Sequence, residues 1–244
     1  MREKRSEEME SLEEVFDKST LMIVYRLLNR GYLKSIFGVV RSGKESRLYW
    51  GLGKRKKPVA IKIYLTTSAV FKSGRMMYIK GDERFKSTRR DTRSLVNLWA
   101  LKEFRNLQQA KQAGIRVPSP LKVEGNVLLM EFIGRNGVPA PLLRETPLNH
   151  PGAVYDRIAE NVRRLYQKAH LIHGDLSEYN IMLVNLRPVI FDFAQAVPPE
   201  HPMARIFLER DLIHLNSYFS RIGVKVPSID RLTSWVTGED GNKS

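Results

Sequence analysis

The sequence predicts an α+β fold in two lobes: a small sheet interrupted by one helix, then a largely helical second half with a reduced C-terminal part. Two observations carry this expectation. Short apolar runs of strand length cluster before residue 133, and apolar stripes at helical spacing dominate after it. Two polar motifs, His173-Gly174-Asp175-Leu176-Ser177-Glu178-Tyr179-Asn180 and Ile190-Phe191-Asp192-Phe193, flank a short apolar hairpin in the second half.

Taken in order, residues 11–35 read as one or two helices, with Leu12, Val15, Phe16, Leu21, Met22, Val24, Tyr25, Leu27 and Leu28 as apolar positions and Gly31 as the stop. Strands are expected near 36–40, 47–52, 58–64, 121–124 and 127–132, with Gly125-Asn126 closing the last pair as a hairpin. In Pro58-Val59-Ala60-Ile61-Lys62-Ile63-Tyr64, alternation sends Val59, Ile61 and Ile63 to one face and Ala60 with Lys62 to the other. Leu95, Leu98, Leu101, Phe104 and Leu107 recur at near-helical spacing, and Gly114 with Val117-Pro118 ends that helix. Segment 72–94 is charged and poor in core candidates, which predicts a mobile basic loop. Later, Val154, Ile158, Val162, Leu165 and Ala169 form one stripe; Ile206, Leu212, Ile213, Leu215 and Phe219 mark another helix; Ser228 caps a last one. The expected division is an N-terminal helical extension at 1–35, a first lobe at 36–133 and a second at 134–244.

The motifs have the layout of a phosphoryl-transfer site. Asp175 can orient or deprotonate a nucleophile, while Asn180 and Asp192 offer hard oxygen ligands to a Mg²⁺ that bridges nucleotide phosphates, with Mn²⁺ as an alternative. The hairpin formed by Ile181–Val184 and 189–191 brings those two ligands to neighbouring ends. Upstream, Ala60 suits a wall against an adenine ring, Lys62 can reach ATP phosphates, and Glu103 on the following helix can pair with Lys62. The turn Ser42-Gly43-Lys44-Glu45-Ser46 offers a hydroxyl and successive backbone amides to phosphate oxygens. Each residue also has a plainer role. Ser42 can be a turn former, Glu103 a surface charge and His173 a structural brace. His150, His170, His201 and His214 lack metal-ligand spacing.

These motifs resemble those of the RIO kinases, the atypical branch of the protein-kinase superfamily. Ser42–Ser46 stands where that family has its short phosphate loop, and His173–Asn180 is similar to its catalytic loop. The stretches from Ala60 to Lys72 and from Tyr78 to Phe85 resemble the first RIO type more than the second, as does the lack of room for a winged-helix domain before residue 35. The resemblance covers residues 35–219. It implies a kinase-like two-lobed fold in which the backbone of Glu131 and Ile133 meets the adenine edge. It also implies serine kinase activity at least by autophosphorylation, an ATPase cycle in which Asp192 itself becomes phosphorylated, and a role in maturing the small ribosomal subunit.

Departures from ordinary protein kinases shape the expected mechanism. Asp192-Phe193-Ala194 replaces Asp-Phe-Gly, Gly174 replaces the Arg that answers an activation-loop phosphate, and no Ala-Pro-Glu follows. The 52 residues after Asp192 are few for a peptide-binding groove. A small-molecule kinase of the aminoglycoside or sugar type shares His-x-Asp-x4-Asn and stands as the alternative. A third reading is an RNA-binding assembly factor timed by its nucleotide.

Composition allows this range. The chain has 244 residues, 42% of them hydrophobic, enough for a sizeable core. No apolar run reaches membrane-spanning length, and the start lacks the apolar stretch of a secretory signal. The absence of cysteine excludes disulfides and thiolate chemistry and fits a cytoplasmic protein. Net charge is +15, concentrated at Lys54-Arg55-Lys56-Lys57 and at Lys72, Arg75, Lys80, Arg84, Lys86, Arg89, Arg90 and Arg93. Such surfaces attract polyanions, so pre-ribosomal RNA or a small-subunit particle is the expected partner, with solubility as the plainer explanation.

Overall fold

The computed structural model describes residues 15–66, 75–85 and 91–239. Leu12, Lys72, Lys86, Arg89 and Arg90, singled out above, lie outside these residues. The chain divides into two compact units that interleave in sequence. The first takes 1–76, 87–104 and 119–139; the second takes 77–86, 105–118 and 140–244.

The first unit is a five-stranded antiparallel sheet with helix α1 (Lys18–Asn29) packed on it. Its strands are β1 (Leu33–Ser42), β2 (Ser46–Gly53), β3 (Pro58–Tyr64), β4 (Pro120–Glu124) and β5 (Val127–Glu131), in the order β1-β2-β3-β5-β4. Helix α1 begins at Asp17, whose carboxylate accepts the amides of Ser19 at 3.0 Å and Thr20 at 3.1 Å. Arg93 and Thr66 also donate to that carboxylate. Partial burial works against ionisation, yet these donors hold the group well below the usual carboxylate range.

Residues 33–35, assigned above to a helical extension, are strand, and α1 belongs to the sheet's own core. Ile23, Val24 and Leu27 join Leu33, Tyr49, Val59, Ile61, Ile63, Val127 and Leu129 in one buried cluster. Thus the β3 alternation read from sequence decides the packing: Val59, Ile61 and Ile63 face α1, while Ala60, Lys62 and Tyr64 occupy the opposite face. Gly51 lets β1 cross closely over β2, because a Cβ there would lie 2.3 Å from the Ser35 carbonyl oxygen. Asn126, read above as a turn former, is fully buried, and its amide donates to the Tyr64 carbonyl at 2.7 Å and to Thr20 Oγ1 at 3.0 Å.

Helix α2 (Met76–Ile79) and a single 3-10 turn (Glu83–Phe85) occupy part of the segment expected to be loop, with Tyr78, Asp82 and Phe85 buried. A count of aliphatic residues misses them, since a tyrosine, a phenylalanine and a paired carboxylate supply the burial. Helix α3 (Thr92–Gln112) contributes its residues through Phe104 to the first unit and those from Arg105 to the second. Beyond it come the small ladder of β6 (Gly134–Arg135) with β7 (Val138–Pro139), which belongs to the first unit, and helix α4 (Pro151–Gln167) of the second. Val154, Ile158, Val162 and Leu165 are buried on α4, as their spacing predicts.

The hairpin β8 (Ile181–Val184) with β9 (Arg187–Ile190), then α5 (Ala204–Arg221) and α6 (Ile229–Thr237), completes the second unit. Ser228 Oγ caps α6 by accepting the amide of Arg231. On α5 the buried face differs from the one expected: Ile206 and Ile213 are exposed, while Phe207, Leu208, Asp211, Leu212, Leu215 and Phe219 are buried. A carboxylate takes the place that periodicity would give an aliphatic residue. No helix among the described residues is long and apolar enough to cross a membrane.

Asn126→Ala removes two donors and leaves a buried carbonyl and hydroxyl without them. Urea unfolding is expected to show a loss of about 2 kcal/mol, several times that of a surface Asn→Ala exchange.

Candidate active site

In the first unit, Lys62 sits at the middle of β3, opposite Leu48 of β2 and Leu128 of β5. Its ammonium lies 2.9 Å from Glu103 Oε1; the glutamate side chain is entirely buried and the lysine side chain 11% exposed. Tyr64, two residues along the same strand face, donates its hydroxyl to Glu103 Oε2 and carries the ammonium 5.1 Å over its ring. The carboxylate is therefore partnered on both oxygens, which is what a charge withdrawn from water requires. Tyr64 was not anticipated from sequence, although the i, i+2 spacing from Lys62 carried the signal.

Ser42 ends β1 opposite Arg47 and is exposed at the hairpin turn, where the Gly43 amide donates to the Ser46 carbonyl at 3.0 Å. Glu45 of this turn accepts from Arg75, which stacks 5.1 Å from the Trp99 ring centroid. Glu131 ends β5, its amide donating to the Ser119 carbonyl at 2.8 Å, and Ile133 follows half-buried.

In the second unit, the hairpin register pairs Ile181 with Ile190, so Asn180 and Asp192 flank the same end of the β8–β9 ladder. The Phe191 amide donates to the Asn180 carbonyl at 3.0 Å, tying the two motifs together. Asn180 Nδ2 donates to the Asp175 carbonyl at 2.8 Å, which fixes the amide plane and turns its Oδ1 the other way. Gln195 Nε2 donates to Asp175 Oδ2 at 3.2 Å. Asp192 adopts φ 67° and ψ 59°, a left-handed conformation that costs a non-glycine residue about 1–2 kcal/mol and is found where function fixes a side chain's direction. His173 is buried, donates from Nε2 to the Phe191 carbonyl at 3.0 Å and meets the Phe193 ring edge-on, so it braces the loop. Among the described residues no three His, Cys, Asp or Glu side chains cluster as a metal site.

Asp211 is the residue that sequence reading passed over. Fully buried on α5, it accepts the amides of Gly174 at 2.7 Å and Leu176 at 2.8 Å, and so suspends the loop on either side of Asp175. Gly174 is at φ 77°, and a Cβ there would stand 3.1 Å from the Gln195 carbonyl oxygen, so any side chain at this position would be strained and crowded. Arg210 donates to the Gly174 carbonyl.

The basic cluster expected at 72–94 is largely neutralised where it is described. Arg75 pairs with Glu45, Arg93 with Asp17, and Arg84 with buried Asp82. Lys54, Arg55, Lys56 and Lys57 are all exposed.

An antiparallel sheet unit with a Lys–Glu pair, and a helical unit whose hairpin presents Asp, Asn and Asp, define a protein-kinase-like fold. A family model described as RIO domain matches residues 47–232. The RIO-type serine/threonine-protein kinase Rio1 of Haloferax volcanii is 37% identical over 241 residues, covering 99% of this chain and 82% of that one. Serine/threonine-protein kinase RIO1 of Homo sapiens is 37% identical over 231 residues, covering 93% of this chain and 40% of the human one. This chain thus spans less than half the length of its human relative. The solved Rio2 kinase–ADP/Mg²⁺–phosphoaspartate complex from Chaetomium thermophilum shares the fold, with a TM-score of 0.68 at 23% identity over 91% of this chain and 68% of that one. The chain belongs to the RIO family of atypical protein kinases, and within it to the first, Rio1 type.

Burial pushes the Asp211 carboxyl up to about 7, against the two backbone amides and Arg210 that favour its ionised form. In the unfolded chain it titrates near the ordinary value for Asp, about 4. Between those values the native state holds a proton that the unfolded state has lost, so this group's contribution to stability falls as pH rises through the window. Urea midpoints of the parent are expected to drop from about pH 4 to about pH 7 relative to those of Asp211→Asn. Parallel profiles would mean that Asp211 stays ionised in the native state.

Proposed function

We propose that the chain is an ATP- and Mg²⁺-dependent atypical serine kinase with ATPase activity. The observation that carries this reading is a set of polar side chains held in place at a cost. Lys62 is steered by a buried Glu103, Asn180 is pinned to the Asp175 backbone, and Asp192 is set in a left-handed conformation beside it.

Lys62 supplies positive charge to the α- and β-phosphates of ATP, and its pairing with Glu103 keeps the ammonium extended. Ser42 and the amides of its turn are offered to phosphate oxygens. At the adenine edge the Glu131 amide is already engaged by Ser119, so recognition falls to the Glu131 carbonyl and the Ile133 amide. Asp175, one of whose oxygens is held by Gln195, receives the proton of an attacking hydroxyl or orients water. Asn180 Oδ1 and the Asp192 carboxylate are the protein's donors to Mg²⁺, for which Mn²⁺ can substitute; the donor set is hard and oxygen-only, as either ion requires. Bound there, the ion neutralises phosphate charge and fixes its geometry.

Autophosphorylation on serine follows from this chemistry. An ATPase cycle adds one step: an Asp192 oxygen attacks the γ-phosphorus, ADP departs, and water later cleaves the acyl phosphate. The name of the related Rio2 complex, which includes phosphoaspartate, supports that step. Family kinship and the exposed Lys54–Lys57 run support a role on small-ribosomal-subunit precursors in the cytoplasm, with RNA phosphates as the attracted polyanion. Arg84, committed to Asp82, is not a candidate for that contact.

Incubation of the purified chain with Mg²⁺ and γ-labelled ATP tests the reading. Label is expected on protein, as a hydroxylamine-resistant ester on serine, a hydroxylamine-sensitive acyl phosphate on Asp192, or both. Lys62→Met and Asp175→Ala are each expected to reduce turnover by about a hundredfold or more. Absence of label together with absence of Mg²⁺-dependent nucleotide affinity by calorimetry would overturn it.

A further inference from the structure

Residues 78–84 lie in the second unit and touch, directly or through one intermediary, both loops that carry its functional side chains. Tyr78 stacks on Phe207 of α5 with ring centroids 4.9 Å apart. Its hydroxyl accepts from Arg210 Nη2 at 3.2 Å, and the same guanidinium nitrogen donates to the Gly174 carbonyl. The Tyr78 ring edge also closes on Gly174, where an added Cβ would meet it at 3.7 Å. One end of the segment therefore bears on the residue preceding Asp175.

The other end bears on the residues after Asp192. Arg84 is held by buried Asp82 through two bonds, Nε to Oδ1 at 2.8 Å and Nη2 to Oδ2 at 2.7 Å. Its remaining nitrogen, Nη1, donates to Asn106 Oδ1 at 3.0 Å and Gln109 Oε1 at 3.1 Å. Because Arg84 takes the oxygen of Asn106, the Asn106 amide nitrogen faces the opposite way. It donates to the carbonyls of Phe193 at 2.9 Å and Ala196 at 3.0 Å. Asn106 is fully buried, so each partner is fixed by the others: a guanidinium can only donate, and it forces the amide orientation that clamps the turn behind Asp192.

We infer that Tyr78, Arg84 and Asn106 are positioning residues, and that the 78–84 segment is a built-in brace holding the Asp175 and Asp192 loops in their working geometry. Ordinary kinases use an Arg beside the catalytic Asp and a phosphorylated activation segment for such control; here Gly174 stands in place of that Arg and the bracing is supplied from residues preceding α3. The proposal rests on the phosphoryl-transfer reading of the same loops.

Two variants probe it: Asn106→Leu, which keeps volume and loses both donors, and Tyr78→Phe, which keeps the stack and loses only the hydroxyl. Thermal unfolding reports whether each folds, and Tyr78→Phe serves alone if Asn106→Leu does not. Amide hydrogen exchange provides a readout independent of activity. Faster exchange is expected in residues 190–197 for Asn106→Leu and in 173–177 for Tyr78→Phe, with the rest of the second unit unchanged. ATP turnover is expected to fall about tenfold in kcat with KM for ATP held within about twofold, and the Mg²⁺ concentration for half-maximal rate to rise in Asn106→Leu. Folded variants with parental exchange in those peptides overturn the brace, whatever the activity. Faster exchange with parental kcat and Mg²⁺ dependence overturns the positioning role. Faster exchange in the variants of a parent chain that neither binds nor turns over nucleotide leaves the brace standing and sinks the phosphoryl-transfer reading instead.

Discussion

A carboxyl group buried beneath the Asp175 loop is the constraint around which the second unit is organised. Asp211 has both oxygens committed to main-chain amides on either side of Asp175, so the loop cannot shift without leaving those amides and a buried carboxyl group unpartnered. That single dependency explains several residue choices at once. Gly174 accommodates the sharp backbone turn and the close Gln195 carbonyl, and Arg210 supplies a positive charge at the Gly174 carbonyl. His173 closes the arrangement against Phe191 and Phe193.

The same logic recurs at each functional element. Glu103, Asn126, Asp82 and Asn106 are all fully buried polar residues, and each is anchored by partners whose donor or acceptor character permits one orientation. Apolar packing gives both units their bulk, but it is tolerant of small displacements. Hydrogen-bonded polar groups in a low-dielectric interior are not, which makes them suited to holding a lysine ammonium or a loop carboxylate in register. Asp192 shows the cost directly in its left-handed backbone.

Charge follows a different rule from the one that composition suggests. A chain at +15 invites the view that every arginine cluster awaits a polyanion. Yet Arg75, Arg84 and Arg93 each answer an internal carboxylate, and Arg84 orders an amide besides. The four-residue run from Lys54 to Lys57 has the exposure expected of an external contact, including two successive residues with positive φ at Arg55 and Lys56.

Much of this protein was legible in the order of its residues. Period-two alternation placed Lys62 opposite the core face of its strand, and the near-helical recurrence of leucines placed Glu103 on the helix that meets it. The spacing from Asp175 to Asn180 and on to Asp192 indicated the hairpin that gathers them, because local geometry is set by neighbours a few positions away. What only the tertiary structure decided are contacts between residues far apart in the chain. Among these are Asp211 beneath the Asp175 loop, Tyr64 beside Glu103, and Tyr78 and Arg84 turned inward from a stretch that looks like loop. The helix phase of α5 misled for the same reason. A hydrophobic stripe identifies a buried face only when burial is apolar, and here one buried position on that face is a carboxyl group whose partners lie thirty-five and thirty-seven residues away.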